Sequence, residues 1–208
     1  MNDARGAEGQ HCIAWHMFTE EPPLEVTPCL LCKQESSELF AFFKPYEVRS
    51  CNHCGFLYLS PRMREERMIA AYGAGYFEEG GHGYENYAEQ ASAQRATHAL
   101  FLKRLNRSYR LGGRLLEAGC GYGYFLAASR PYFDYQTGLD FSPPALRAAT
   151  PFADQVAPGG LEAVAGEKFH WIFAHQVIEH IYEPISFVRS LHSLLFPGGH
   201  AVLTTPRA

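Results

Sequence analysis

The spacing of apolar residues changes along the chain, and each change predicts a different kind of element. Residues 1–24 mix charge, Gly and Pro without a sustained period and read as a loose leader. Over 25–62 the apolar residues fall in short strand-like runs, Leu39-Phe40-Ala41-Phe42-Phe43 and Gly55-Phe56-Leu57-Tyr58-Leu59. Ser60-Pro61-Arg62 breaks the second run, and helical spacing takes over from Met63 to Tyr72. Gly73 to Tyr87 reads as a loop rich in aromatics (Tyr76, Phe77, Tyr84, Tyr87). Residues 88–107 form a helix whose apolar positions include Ala99, Leu100, Leu102 and Leu105.

From residue 111 to 208 strand-like and helical stretches alternate. Strands are predicted at Leu115-Leu116, Tyr135–Asp140, weakly near Gln155-Val156, at Phe169–Ala174 and at Ala201–Thr204. The run Phe169-His170-Trp171-Ile172-Phe173-Ala174 is nearly continuous, as expected of a strand covered on both faces. Helices are predicted from Tyr124 to Ser129, after Ser142-Pro143-Pro144, and from Glu183-Pro184, with Ile185, Val188, Leu191 and Leu195 at helical spacing. Pro197-Gly198-Gly199 stops the last helix. Strand alternating with helix is the pattern of an α/β fold with a parallel sheet.

Composition narrows the class of function. With 47% apolar and 19% charged residues the chain is globular in character. A formal net charge of −4 argues against long-range attraction to nucleic acid or to an anionic membrane. No run approaches the roughly 18 apolar residues of a transmembrane helix, and no basic-then-apolar leader marks secretion. The expectation is a soluble, cytoplasmic protein.

Cysteine placement changes the picture of residues 25–62. Cys29-Leu-Leu-Cys32 and Cys51-Asn-His-Cys54 are two C-x-x-C turns that bring four thiolates together, the spacing of a structural zinc ribbon. Hairpins too short to bury a core are stabilised by such an ion. Gly55 follows the second turn, where a left-handed residue is needed, but Lys33 follows the first and is more strained there. His53 reads as a surface residue of its turn, and Cys12 with His16 as an incidental pair in the leader. Residues 1–68 carry seven Lys and Arg against ten Asp and Glu, a poor footprint for phosphate. The ribbon is therefore expected to orient a substrate or brace the main domain.

The chemistry concentrates at Leu115-Leu116-Glu117-Ala118-Gly119-Cys120-Gly121-Tyr122-Gly123-Tyr124, an apolar strand, an acid, a glycine-rich turn and the start of a helix. The second strand ends in another acid, Asp140, placed to accept both ribose hydroxyls of an adenosine. Position alone admits NAD or S-adenosylmethionine (SAM). The spacing Gly119-x-Gly121-x-Gly123 departs from the G-x-G-x-x-G of dinucleotide pockets.

With these motifs the sequence resembles the class I SAM-dependent methyltransferases. Glu117–Gly123 looks like their first motif and Gly138-Leu-Asp-Phe-Ser142 like the second. His175-Gln-Val-Ile-Glu-His180 resembles the end of the fourth strand, and Leu194-Leu-Phe-Pro-Gly-Gly199 the turn before the fifth. The paired cysteine turns followed by Gly55–Pro61 and a Tyr-rich loop are similar to bacterial members with a zinc-binding N-terminus. The resemblance implies a Rossmann-like sheet with strands one to five over 111–208 and the sixth and seventh lacking. It also implies a zinc ribbon over 25–62 and a helical, Tyr-rich linker over 63–110. The shortened sheet would leave an outer edge for a homodimer.

By the same resemblance Gly119, Cys120, Gly121 and Gly123 lie against the methionine and ribose of SAM, and Glu117 orients the amino-acid end. Asp140 holds the ribose hydroxyls, Phe141 flanks the adenine with Leu161 a further candidate, and His175 and Gln176 border the cofactor. His175 and His180 are the candidate catalytic residues for a hydroxyl acceptor on a sugar or other metabolite; Cys120 is a small turn residue, not a nucleophile. Relatives that hold a divalent ion at this segment carry Glu-x-x-Glu-His, whereas this chain reads Gln176-x-x-Glu179-His180, which lacks one hard ligand. The alternatives are a non-catalytic ribbon module with a vestigial SAM fold, and an NAD-dependent oxidoreductase.

Overall fold

The computed structural model describes residues 24–44, 46–73 and 90–206. Cys12, His16 and the aromatic residues Tyr76, Phe77, Tyr84 and Tyr87 lie outside them. β1 (Leu24–Glu25) pairs antiparallel with β5 (Arg62–Met63), so the chain entering and leaving the ribbon is clamped together. Between them β2 (Ser37–Phe43), β3 (Tyr46–Cys51) and β4 (Leu57–Leu59) form an antiparallel sheet in sequence order. Among the described residues its buried centre is Cys29, Cys51 and Tyr58, too little apolar surface to hold a sheet by itself. α1 (Glu65–Gly73) follows directly.

α2 (Ala91–Tyr109) starts and ends a few residues later than the sequence pattern suggests. Its last turn closes on Arg110 in the left-handed region, and Asn106 Oδ1 accepts the N–H of Leu111 at 2.8 Å. Of the apolar positions expected to pack, Leu102 is fully buried while Leu100 faces outward.

The remainder alternates β6 (Arg114–Ala118), α3 (Tyr124–Ser129), β7 (Tyr135–Asp140), α4 (Pro143–Ala149), β8 (Gln155–Pro158), β9 (Phe169–His175), α5 (Pro184–Leu194) and β10 (Leu195–Thr204). The sheet is parallel throughout, in the order β10-β9-β6-β7-β8, with β6 central. The order reverses between β6 and β9, so a crevice opens beyond the carboxyl ends of those two strands, with the end of β7 alongside.

Period-two alternation divides the core between the two faces of the sheet. Leu115, Trp171 and Phe173 pack with Leu102, Phe125, Leu126 and Phe133 on one face. Leu116, Ala118, Ile172 and Ala174 pack with Leu161, Val164, Leu191 and Leu194 on the other. β9 is thus covered on both sides, which is why its sequence is apolar without a break. Ser142 caps α4, with Pro143 and Pro144 in its first turn.

α5 corrects one sequence expectation. Leu191 is buried as expected, but Val188 stands exposed, and Phe187 rather than Val188 turns toward the sheet, together with Leu194. Leu195 belongs to β10, whose pairing with β9 is interrupted between Leu195 and His200, where Pro197-Gly198-Gly199 intervenes. Among the described residues no helix is long and apolar enough to cross a membrane.

Candidate functional site

β6 ends in Glu117-Ala118 and the chain turns sharply to reach α3. Gly119, Gly121 and Gly123 all have positive φ, at 71°, 50° and 75°. Two of them leave no room for a side chain. A Cβ on Gly119 would stand 2.7 Å from Val177 Cγ2, and one on Gly123 would stand 2.9 Å from the Cα of Ala149. The turn is pinned by the N–H of Cys120 on the Leu139 carbonyl (2.8 Å) and that of Gly123 on the Cys120 carbonyl (2.9 Å).

Asp140, at the end of the neighbouring strand, fixes the same turn from the other side. Its carboxylate accepts the N–H of Gly121 and that of Ser142, each at 2.8 Å. Burial raises the Asp140 carboxyl above its ordinary value, with those N–H groups pulling the other way. Glu117 is buried at 3% exposure, and one of its oxygens has no partner among the described residues. Desolvation, and then the nearby Asp140 charge, raise it well above the ordinary carboxylate value. A buried carboxyl left with an unsatisfied oxygen is costly unless a donor arrives from elsewhere.

Both acids open onto a cavity of about 700 Å³. Of the residues singled out in the sequence, Glu117, Gly119, Cys120, Gly121, Asp140, Phe141, Leu161, His175, Gln176 and His180 line it. Gly123 does not; it lies one turn deeper, packed on α4. The Cys120 side chain turns away into the core against Gly138, and burial pushes its thiol far up, so it has no nucleophilic character. Phe141 is 45% exposed, free to meet a ligand ring.

His175 closes β9 among aromatic rings, 4.7 Å from Phe125 and 5.4 Å from His98 between centroids. Its Nδ1 lies 3.1 Å from Thr204 Oγ1, and its Nε2 is buried without a partner among the described residues. Desolvation, then His98, lower it to about 4, so the ring is neutral at physiological pH and a weak base. His180 sits farther along, at the end of the short turn Ile178–His180, and is lowered by burial against the opposing pull of Glu179. Gln176 holds a left-handed φ of 55° and donates its N–H to the Thr204 carbonyl, an unusual conformation at the cavity wall.

Sequence reading missed one wall altogether. Glu65, Met68 and Ile69 of α1, Gln94 and His98 of α2, and Tyr182 and Glu183 also line the cavity. Their helical spacings were visible in the sequence, but no local signal said which helix face would meet the ends of β6 and β9.

The four cysteines form a separate cluster, their sulfurs all within 4.8 Å of one another. Cys29 and Cys54 are 3.6 Å apart and Cys32 and Cys51 3.5 Å. A tetrahedral zinc with Zn–S near 2.3 Å needs edges of roughly 3.8 Å, so the set could hold zinc. The N–H of Lys33 bonds the Cys29 carbonyl and that of Gly55 the Cys51 carbonyl, both at 2.9 Å, so the two turns are alike. Lys33 takes the same left-handed conformation as Gly55, the strain expected of it. The N–H of Cys54, with that of His53 assisting, holds the Cys51 thiol down at about 6, while Cys32 and Cys54 beside it are raised, so the cluster's first negative charge falls on Cys51.

A glycine turn beneath two carboxylates, at the reversal point of a parallel sheet, defines a Rossmann-like fold of the class I SAM-dependent methyltransferase type. A family model described as a methyltransferase domain matches residues 86–208, and the chain belongs to that family. Two ubiquinone biosynthesis O-methyltransferases are similar to it. That of Ruegeria pomeroyi is 33% identical over 105 residues, covering 45% of this chain and 41% of the relative. That of a Methylobacterium species is 33% identical over 96 residues, covering 42% and 39%. The matched region thus spans about two fifths of those relatives. Among solved structures, an amino pentose methyltransferase of Micromonospora echinaspora, determined with SAM bound, superposes with a TM-score of 0.50 at 23% identity. That match covers 60% of this chain and 58% of the other, and it speaks to the fold.

Proposed function

We propose that this chain binds SAM in the 700 Å³ cavity and transfers its methyl group to a hydroxyl of a small molecule, a sugar or another metabolite. The observation that carries this is the pairing of Glu117, with its unpartnered buried oxygen, and Asp140 across the glycine turn. SAM offers an ammonium, a ribose diol and an adenine, and the cavity has a group for each. Glu117 receives the ammonium, Asp140 the ribose hydroxyls, and Phe141 and Leu161 the two sides of the adenine. Gly119 and Gly121 admit the ligand against bare backbone. Zinc in the Cys29, Cys32, Cys51 and Cys54 set has a structural role in this reading.

When bound, SAM supplies a methyl on a sulfonium, whose carbon–sulfur bond breaks as the acceptor oxygen attacks and leaves a neutral thioether. The protein then needs no nucleophile of its own. It aligns the acceptor in line with the methyl and excludes water. The hydroxyl proton goes to a base, and His180 suits this better than His175. His175, neutral and enclosed among Phe125, Phe173 and Phe101, serves as cofactor wall.

Calorimetric titration with SAM and with NADH tests the reading. Binding of SAM alone, lost in Asp140→Ala, is the expected result. Heat with NADH, or an Asp140→Ala variant that binds SAM as well as the parent, would overturn it.

A further inference from the structure

The carboxyl ends of β10, β9 and β6 are tied in a row, and the tie begins at a residue outside the cavity. Thr204, the last residue of β10, stands opposite His175, the last residue of β9. Its Oγ1 lies 3.1 Å from His175 Nδ1, and its carbonyl accepts the N–H of Gln176 at 2.9 Å. Gln176 holds its left-handed φ of 55° at this point. Val177 follows and packs so closely on the glycine turn that a Cβ on Gly119 would stand 2.7 Å from its Cγ2. His175, Gln176, Val177 and Gly119 all line the cavity, whereas Thr204 does not.

The hydrogen between Thr204 and His175 can belong to either group, and the surroundings of the ring choose between them. If Nδ1 carries it, Nε2 is left as a bare lone pair, buried with no donor among the described residues. If the Thr204 hydroxyl carries it, Nε2 bears the hydrogen instead. The rings of Phe125, His98 and Phe101 stand 4.7, 5.4 and 5.8 Å from that of His175 between centroids. Aromatic rings accept an N–H weakly and offer nothing to a lone pair. The second arrangement therefore leaves less unsatisfied. It also suits a ring that stays neutral, since burial, then His98, lower it to about 4.

We propose that Thr204 is a positioning residue for the cofactor. Its hydroxyl donates to His175 Nδ1 and fixes the ring as the neutral Nε2–H tautomer, while its carbonyl sets the Gln176 turn. The two contacts together hold the corner His175-Gln176-Val177 against the glycine turn, so the cavity wall has its shape before a ligand arrives. Thr204 acts through His175 and touches no ligand itself. The inference rests on the methyltransferase reading above and deepens it, because it names what holds one wall of the cofactor site.

The test combines the imidazole nitrogen shifts of His175, identified by their loss in His175→Phe, with S-adenosylhomocysteine affinity measured by calorimetry on the full chain. The ligand-free parent is expected to show the Nε2–H tautomer. Thr204→Val, which keeps the shape of the side chain, should lose that tautomer and weaken S-adenosylhomocysteine binding about fivefold, the worth of one hydrogen bond. Thr204→Ser, which keeps the hydroxyl, should restore both. In a His175→Phe background Thr204→Val should weaken binding no further. An Nδ1–H tautomer in the parent, a Thr204→Val chain that binds as well as the parent, a Thr204→Ser chain that fails like Thr204→Val, or a full Thr204→Val loss in the His175→Phe background would each overturn the assignment. A parent that binds no S-adenosylhomocysteine would instead overturn the underlying reading, and the tautomer of the ligand-free chain would still decide which group donates.

Discussion

Glu117 and Asp140 end neighbouring strands of a buried crevice, and desolvation with mutual repulsion raises the Glu117 carboxyl well above its ordinary value. A carboxyl raised on folding stabilises the ligand-free protein fully below its unfolded value and loses that contribution as pH rises through the folded one. An ammonium arriving at Glu117 reverses the preference and expels the proton. SAM should therefore bind more tightly as pH rises through that window, and calorimetry in two buffers of different ionisation enthalpy should show proton release. Glu117→Gln should abolish the release; a pH-independent affinity in the parent would refute the assignment.

His175 runs in the opposite sense. Its folded value of about 4 lies below the ordinary 6.5, so its stabilisation is complete above 6.5 and declines as pH falls toward 4. The difference corresponds to at most about 3 kcal/mol. Urea unfolding at pH 7 and pH 4.5 should show a smaller acid loss in His175→Phe than in the parent. The identity of these residues was legible in sequence, because an acid at a strand end announces itself. Their protonation was not, since it depends on what the fold packs around them.

At the scale of elements, the glycine turn is where local and tertiary requirements coincide. Gly123 precedes α3 with φ at 75°, and any Cβ there would meet the backbone of Ala149 in α4 at 2.9 Å. Left-handed strain of about 1–2 kcal/mol adds to that overlap. Gly123→Ala should thus cost about 2 kcal/mol or more in denaturant unfolding, although this residue does not line the cavity. A neutral substitution would show that α4 can move aside.

The parallel strands and the caps of α4 were readable because each carries its own signal: a two-sided apolar run at Phe169–Ala174, and Ser142 before two prolines. α1 and α2 carry helical periodicity but no mark of their partners, so the contribution of Glu65, Met68 and His98 to the cavity was hidden. The exchange of Val188 for Phe187 on the buried side of α5 has the same origin. Val188 and Phe187 are both apolar, and only docking on the sheet chooses between them.

The whole molecule joins a ribbon with almost no apolar core to a sheet with a core on each face. The join runs through Lys33 with Glu183, Arg62 with the Tyr182 carbonyl, and the Tyr182 hydroxyl with the Met63 carbonyl. All three reach the segment after β9 that borders the cavity. The ribbon's order depends on the four cysteines, since burial of Cys29, Cys51 and Tyr58 alone cannot hold three strands. Zinc removal should then act at a distance. In Cys51→Ser, or after chelation, elemental analysis should find loss of the zinc proposed for the four-cysteine set. Amide exchange should rise in residues 178–183 and the first turn of α1 while β6, β7 and β9 keep their protection. Loss of one or two such hydrogen bonds, each worth about 1 kcal/mol, should weaken S-adenosylhomocysteine binding by about five- to tenfold. If exchange at 178–183 does not change when zinc is lost, the ribbon is a separate body and its contacts with the sheet half are incidental.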